Sequence, residues 1–123
     1  MNTEVLLLNL VRKLEPTLTG CGMFSGEKYE ADPIPLKEFI ICMEWLKAQE
    51  VSKEINYQLT SYALKHYVEE WHRQTKGEFK YISNCALIAA IVALGITYRK
   101  IENDLNVLST VFIRRNNDDE SIW

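Results

Sequence analysis

The chain has 123 residues, of which 47% are hydrophobic and 25% are charged, and its formal net charge at neutral pH is −3. This length corresponds to one domain, and the composition is that of a globular protein, which excludes disorder over most of the chain. The negative charge excludes a general attraction to nucleic acids or anionic membranes and leaves room only for a local basic patch.

The cysteines and the apolar segments predict the cellular compartment. Cys21, Cys42 and Cys85 form no C-x-x-C pair, so a zinc ribbon or a thioredoxin-like site has no support, and buried thiols in a reducing cytosol are the simplest interpretation. The first residues lack the basic region and the cleavage site of a signal peptide. The longest apolar stretch, 85–96, is shorter than the ~20 residues that a membrane span needs. We therefore expect a soluble, cytoplasmic protein without a membrane partner.

The N-terminal half is predicted to contain two helices joined by a long connector. The first helix runs from Thr3 to Leu14, with Thr3 as its N-cap, and Pro16 stops it. The connector, 17–35, is long for a loop within a compact domain, so it is functional, mobile or contains a short element. The second helix runs from 36 to 50 and has a proline near its first turn.

A long third helix and a short fourth helix are predicted next. The third runs from 52 to 75, because aromatic and apolar residues recur at helical spacing along one side, and Gly77 ends the pattern. The segment 81–95 is predicted to be the buried central helix of the protein, capped by Ser83 or Asn84. It has no charged residue, and a helix that is apolar all round must be surrounded by other elements.

The segment after Gly95 has two interpretations. Residues 96–101 and 107–113 are rich in β-branched and aromatic side chains, and the residues between them are turn-like, which favours a β-hairpin. Apolar residues also recur there at helical intervals, so a helix is the alternative.

Together these elements predict a mainly α fold. We expect a compact bundle of about four helices around the central apolar helix, with or without a C-terminal β-hairpin. One helical domain would cover 1–115, followed by a flexible acidic tail over 116–123.

Candidate catalytic and metal-binding groups are sparse. Cys85 lies in the predicted first turn of the fourth helix, where the dipole can lower a thiol pKa, and His66 is a candidate base with Glu69 or Asn84 as its orienting group. A cysteine on an apolar helix is more often a small buried hydrophobe. His66 and His72 lie about 120° apart around a helix, too far to share an ion without a third ligand. We therefore expect no enzymatic activity, no metal and no cofactor.

A helix-turn-helix over 83–104 is the nucleic-acid alternative. Gly95 would form its turn, and Arg99 and Lys100 would face the major groove of DNA and its phosphates. However, Ile91 occupies the position where a small residue usually lets the two helices cross, and the second segment is rich in strand formers. Binding to nucleic acid is therefore the second choice.

Three short motifs lie between residues 61 and 95. They read Ser61-Tyr62-Ala63-Leu64-Lys65-His66 with Glu69, Tyr81-Ile82-Ser83-Asn84, and Ala86-Leu87-Ile88-Ala89-Ala90 followed by Leu94-Gly95. In these motifs the chain resembles a group of small uncharacterised proteins encoded by bacteriophages, plasmids and other mobile elements. The pattern of that group has glycine where this chain has Cys85, which lowers the case for a catalytic thiol.

The resemblance implies a genetic setting rather than an activity. Small phage and plasmid proteins often act by occupying a surface of a host complex, as anti-restriction and anti-CRISPR inhibitors do. It therefore implies a non-enzymatic protein that binds a host protein or ribonucleoprotein complex, and inhibition of a host defence complex is one form of that function.

The residues expected to bind such a partner are of the types that carry interface energy or contact phosphates. They are Met23, Phe24, Trp45, Tyr57, Trp71, Arg99 and Lys100. The alternative interpretation of the aromatic residues is that they close the core, and exposed aromatics are also compatible with a homodimer.

Overall fold

The fold combines helices with an antiparallel sheet. It was obtained as a computed structural model that describes residues 2–16, 18–19, 22–23, 33–102 and 104–113. Its elements, in chain order, are α1 (Thr3–Leu14), β1 (Leu18–Thr19), β2 (Gly22–Met23), α2 (Leu36–Lys47), β3 (Glu50–Thr60), α3 (Ser61–Lys76), α4 (Asn84–Ala93), β4 (Tyr98–Lys100) and β5 (Val107–Phe112).

Helix α4 occupies the centre of the molecule. Every residue from Asn84 to Val92 is buried, and α1, α2 and α3 pack around the helix. Ser83 is the N-cap, because its Oγ accepts a hydrogen bond from the Ala86 N–H at 3.3 Å. The chain leaves the helix through Gly95, whose φ of 71° is a left-handed conformation that favours glycine. The predicted central helix is therefore confirmed over Asn84–Ala93, whereas Tyr81, at the beginning of the predicted segment, is exposed and precedes the helix.

Helix α1 has the predicted bounds but a different cap. Asn2, rather than Thr3, is the N-cap, because its Oδ1 accepts the Val5 N–H at 2.9 Å. Val11 is buried against the core, whereas Leu6 and Leu10 on the neighbouring side of the helix are exposed. Helix α2 begins where it was predicted to begin and ends earlier, at Lys47.

Strand β3 corrects the predicted secondary structure. The sequence predicts helix over most of this segment, as the end of the second helix and the beginning of the third. The segment contains good strand formers, Val51, Ile55 and Tyr57. Its first five residues are all exposed, so they lack the alternation of buried and exposed positions that marks a half-buried strand. Thr60 ends the strand and caps α3, because its Oγ1 accepts the Ala63 N–H at 3.2 Å.

Strands β3, β4 and β5 form one antiparallel sheet with the order β3-β5-β4. Val51 pairs with Val111 on one side of β5, and Lys100 pairs with Val107 on the other. The predicted hairpin is present as β4 and β5, and the alternative of a helix after Gly95 is wrong. Since β3 adds a third strand, the prediction of a mainly α bundle is also wrong, and the fold is α+β.

The connector contains a short element, one of its three predicted possibilities. Strands β1 and β2 pair in antiparallel fashion, with Leu18 opposite Met23, and Leu18 is fully buried. Phe24 and the predicted tail, 116–123, lie outside the described residues. Within the described ranges, no helix is both long and apolar enough to cross a membrane.

Candidate functional site

A buried ion pair lies at the centre of the candidate site. Lys65 and Glu69 are one helical turn apart on α3, their side chains are 5% and 7% exposed, and Lys65 Nζ lies 3.3 Å from Glu69 Oε2. Burial of two charges is unfavourable unless further hydrogen bonds satisfy them. Glu69 Oε2 also accepts the Ile82 N–H at 3.0 Å, and Oε1 accepts from His66 Nδ1 at 2.8 Å. The carboxylate therefore joins α3 to the segment that precedes α4.

Two tyrosine rings and an imidazole cover this ion pair. Lys65 Nζ lies 5.2 Å from the ring centroid of Tyr62 and 4.6 Å from that of Tyr81, which are distances of cation–π contacts. Tyr62 also meets the His66 ring edge to face, with 4.6 Å between centroids. Tyr62 and Tyr81 remain 52% and 58% exposed. We call Tyr62, His66 and Tyr81 the aromatic patch.

Hydrogen bonds among polar side chains fix the elements below the aromatic patch. Ser61 Oγ accepts the Val107 N–H at 3.0 Å, which ties the beginning of α3 to the beginning of β5. Asn84 Nδ2 donates to Asn106 Oδ1 at 3.0 Å, which ties the beginning of α4 to the same place. These bonds fix α3, α4 and β5 relative to one another. They therefore also fix the position of Tyr62, on α3, relative to Tyr81, which precedes α4.

The motifs that carry the resemblance meet at this site. Glu69 of the first motif and Ile82 of the second are 13 residues apart and share a hydrogen bond. His66 is an exposed imidazole whose Nδ1 bonds to the Glu69 carboxylate. Lys65 and Tyr81 are not among the site residues predicted from the sequence, although the (i, i+4) spacing of Lys65 and Glu69 on a helix marks them as a pair.

The thiols near the site are not activated. Cys85 is buried, its Sγ lies 3.3 Å from Ser83 Oγ, and burial is the main reason that its pKa is raised. Burial, followed by the negative charge of Glu38, also raises the pKa of the Cys42 thiol well above its ordinary value. The N-terminus of α4 therefore does not produce the reactive thiolate that the cysteine hypothesis requires.

The predicted partner-binding residues are dispersed. Trp45 is buried and stacks on Tyr67 with 6.4 Å between ring centroids, and Trp71 is partly buried against the core. These two tryptophans therefore close the core, which is the alternative to partner binding that the sequence left open for the aromatic residues. Met23 lies on β2, and Phe24 is outside the described residues.

Tyr57, Arg99 and Lys100 lie on the sheet. Tyr57 on β3 is 65% exposed, and its hydroxyl accepts a hydrogen bond from Arg99 Nη1 on β4 at 2.7 Å. Lys100 forms an ion pair with Glu15, with 2.7 Å between Nζ and Oε1. Because Arg99 and Lys100 belong to a strand, the recognition helix of the helix-turn-helix hypothesis is absent from this part of the described chain.

In the described part of the chain, no group of three or more His, Cys, Asp or Glu side chains is arranged to hold a metal ion. No protein-family model matches the chain, and neither a curated protein nor a solved structure is significantly similar to it.

Proposed function

We propose that this protein acts by binding a macromolecular partner through the aromatic patch, without catalysing a reaction. The proposal rests on one observation: the rings of Tyr62 and Tyr81 are more than half exposed, yet cation–π contacts with the buried Lys65 ammonium restrain them. Tyrosine is enriched among the residues that dominate interface energies. A side chain that is already restrained loses less conformational entropy on binding than a free one.

Two features favour binding over catalysis at this place. The thiols of Cys42 and Cys85 are buried with raised pKa values. The Glu69 carboxylate accepts hydrogen bonds from His66 Nδ1 and from the Ile82 N–H, so it holds α3 to the segment before α4. These groups therefore support a preformed surface on which the exposed rings are the contacting groups.

The resemblance to mobile-element proteins supports a specific class of partner. We propose a host protein or ribonucleoprotein complex in the cytoplasm, with inhibition of a host defence complex as the form that this function takes. The partner would cover the exposed tyrosine rings and exclude water from the charged groups below them, which is the arrangement typical of an interface centre.

The proposal is tested by affinity purification from lysate of the cells that carry the gene. We expect the tagged wild-type chain to retain a partner in stoichiometric amount, and the double variant Tyr62→Ala/Tyr81→Ala to lose it. Loss of two central tyrosines weakens an interface by at least ~2 kcal/mol, which is roughly thirtyfold in affinity.

Tyr57→Ala is the matched control, because Tyr57 is also an exposed tyrosine but lies on β3, outside the aromatic patch; here the proposal departs from the sequence-based expectation that Tyr57 binds the partner. It should retain the partner, and thermal unfolding should show that all variants are folded. The absence of a stoichiometric partner for the folded wild-type chain, or equal retention by the double variant, would reject the proposal.

A further inference from the structure

A concave surface distinct from the aromatic patch lies between α2 and the connection from α3 to α4. It is a shallow groove of about 340 Å³ lined by Lys37, Ile40, Ile41, His72, Glu78 and Lys80. Its volume lies near the lower end of the range for ligand sites, roughly 300–1,000 Å³. The groove is formed partly by a hydrogen bond that His72 Nδ1 donates to the Glu78 carbonyl at 2.8 Å. This bond holds the connection against the end of α3.

The groove combines an apolar floor with a basic rim. Ile40 and Ile41 are only partly covered, and Phe79, next to the rim in sequence, is exposed. The charged residues that line the groove are two lysines, Lys37 and Lys80, and one carboxylate, Glu78. Neither lysine has an ion pair or a side-chain hydrogen bond with any residue that the structure describes. The chain as a whole has a net charge of −3, whereas the residues that line this groove carry more positive than negative charge.

We propose that the groove binds a short acidic segment of a partner protein. An aliphatic or aromatic side chain of that segment would pack on Ile40 and Ile41, and flanking carboxylates would face Lys37 and Lys80. Complementary charge selects the partner and its orientation, while the apolar contact supplies most of the affinity. The proposal goes beyond the aromatic patch and does not depend on it, because the groove has its own lining residues.

Nucleic acid fits this surface less well than an acidic peptide does. Phosphate binding relies on several basic side chains along a polar surface, and here two lysines flank an apolar floor with a glutamate beside them. A segment that alternates carboxylates with an apolar side chain matches both properties of the groove.

The test is selection from a random peptide library displayed on phage against the folded full-length chain. We expect the enriched peptides to contain aspartate or glutamate on both sides of a large apolar residue. Synthetic copies of those peptides should bind with an affinity that falls as salt is added. The double variant Lys37→Glu/Lys80→Glu should bind them at least about tenfold more weakly, because two attractive contacts become repulsive.

The control is Lys13→Glu/Lys53→Glu, which changes the net charge equally at two exposed positions away from the groove. It should bind the peptides with wild-type affinity, and so should Tyr62→Ala, which changes the aromatic patch on α3 and none of the residues that line the groove. The proposal is overturned if no peptide is enriched, if the enriched peptides lack acidic residues, or if Lys37→Glu/Lys80→Glu binds them as well as the control. Tighter binding of a DNA or RNA oligonucleotide that the same double variant abolishes would also overturn it.

Discussion

Glu69 accepts three hydrogen bonds through a carboxylate that is almost completely buried, and each donor comes from a different group. The substitution Glu69→Gln removes the negative charge and leaves the Lys65 ammonium buried without a counterion. Breaking one partner of a buried pair costs about 3–5 kcal/mol. We expect the free energy of unfolding of Glu69→Gln to fall by about that amount, measured by urea denaturation at neutral pH.

Glu70→Gln is the control, since the same change is made one residue further on. Glu70 pairs with Arg73 at the surface, where solvent and salt screen an ion pair so that it contributes little to stability. If both variants lost the same stability, the buried pair would not have the structural role given to it here.

Tyr98 makes the stability depend on pH in the alkaline range. Its hydroxyl donates to Glu15, and burial, with the negative charge of Glu15, raises its pKa above the ordinary value of 10.0. The folded state then keeps a proton that the unfolded state releases, so the stability present below pH 10 is lost as the pH rises toward the folded pKa.

Urea denaturation between pH 9 and 11, roughly spanning the ordinary tyrosine pKa, measures this dependence. We expect the free energy of unfolding of the wild-type chain to fall more steeply with pH than that of Tyr98→Phe. Tyr57→Phe removes an exposed tyrosine and should retain the wild-type slope. Equal slopes for the wild type and Tyr98→Phe would contradict the prediction.

At the scale of the elements, Gly77 determines how α3 ends. It adopts φ of 71°, its N–H donates to the Arg73 carbonyl at 3.0 Å, and a Cβ at this position would meet no atom within 4 Å. Gly77→Ala therefore costs only the backbone strain of the left-handed conformation, about 1–2 kcal/mol. Thermal unfolding should show a lower midpoint for Gly77→Ala and a smaller decrease for Gly77→Asn, because asparagine tolerates this conformation better.

The elements that the sequence predicted are those whose signals are local. Pro16 marks the end of α1, and the uncharged composition of α4 with Ser83 before it marks the central helix. Strand β3 has no such signal, because it is stabilised by a partner that lies far away in sequence. Asn56 Nδ2, for example, donates to a carbonyl 55 residues later. Propensity alone did not separate this strand from the helix that follows it.

The candidate site shows the same division between local and distant signals. The contact between His66 and Glu69 lies within one helix and could be anticipated from spacing. Tyr81 joins the site only because the connection after Gly77 returns along α3 and brings the Ile82 N–H to Glu69. Trp45 could not be separated from an exposed anchor by residue type, and its burial follows from the packing of α2 against α4.

At the scale of the whole molecule, the packing around α4 predicts a gradient of local stability. Its residues are enclosed by three helices, whereas α1 has exposed leucines along one side. Amide hydrogens of enclosed elements exchange only in rare, large unfolding events. We expect hydrogen–deuterium exchange, followed by mass spectrometry, to be slowest in 86–93 and several times faster in α1. Exchange of α4 at the rate of α1 would contradict a central position for this helix.

The order of the strands has a consequence for synthesis of the protein on the ribosome. Strand β5 lies between β3 and β4 in the sheet, yet it follows both of them along the chain. Until Val107–Phe112 has left the ribosome, β3 and β4 have no neighbour to pair with, and the polar network at Asn106 is incomplete. Helices can form earlier, but the sheet closes in one late step. From the synthesis of β3 until that of β5, the nascent chain therefore exposes unpaired strand edges.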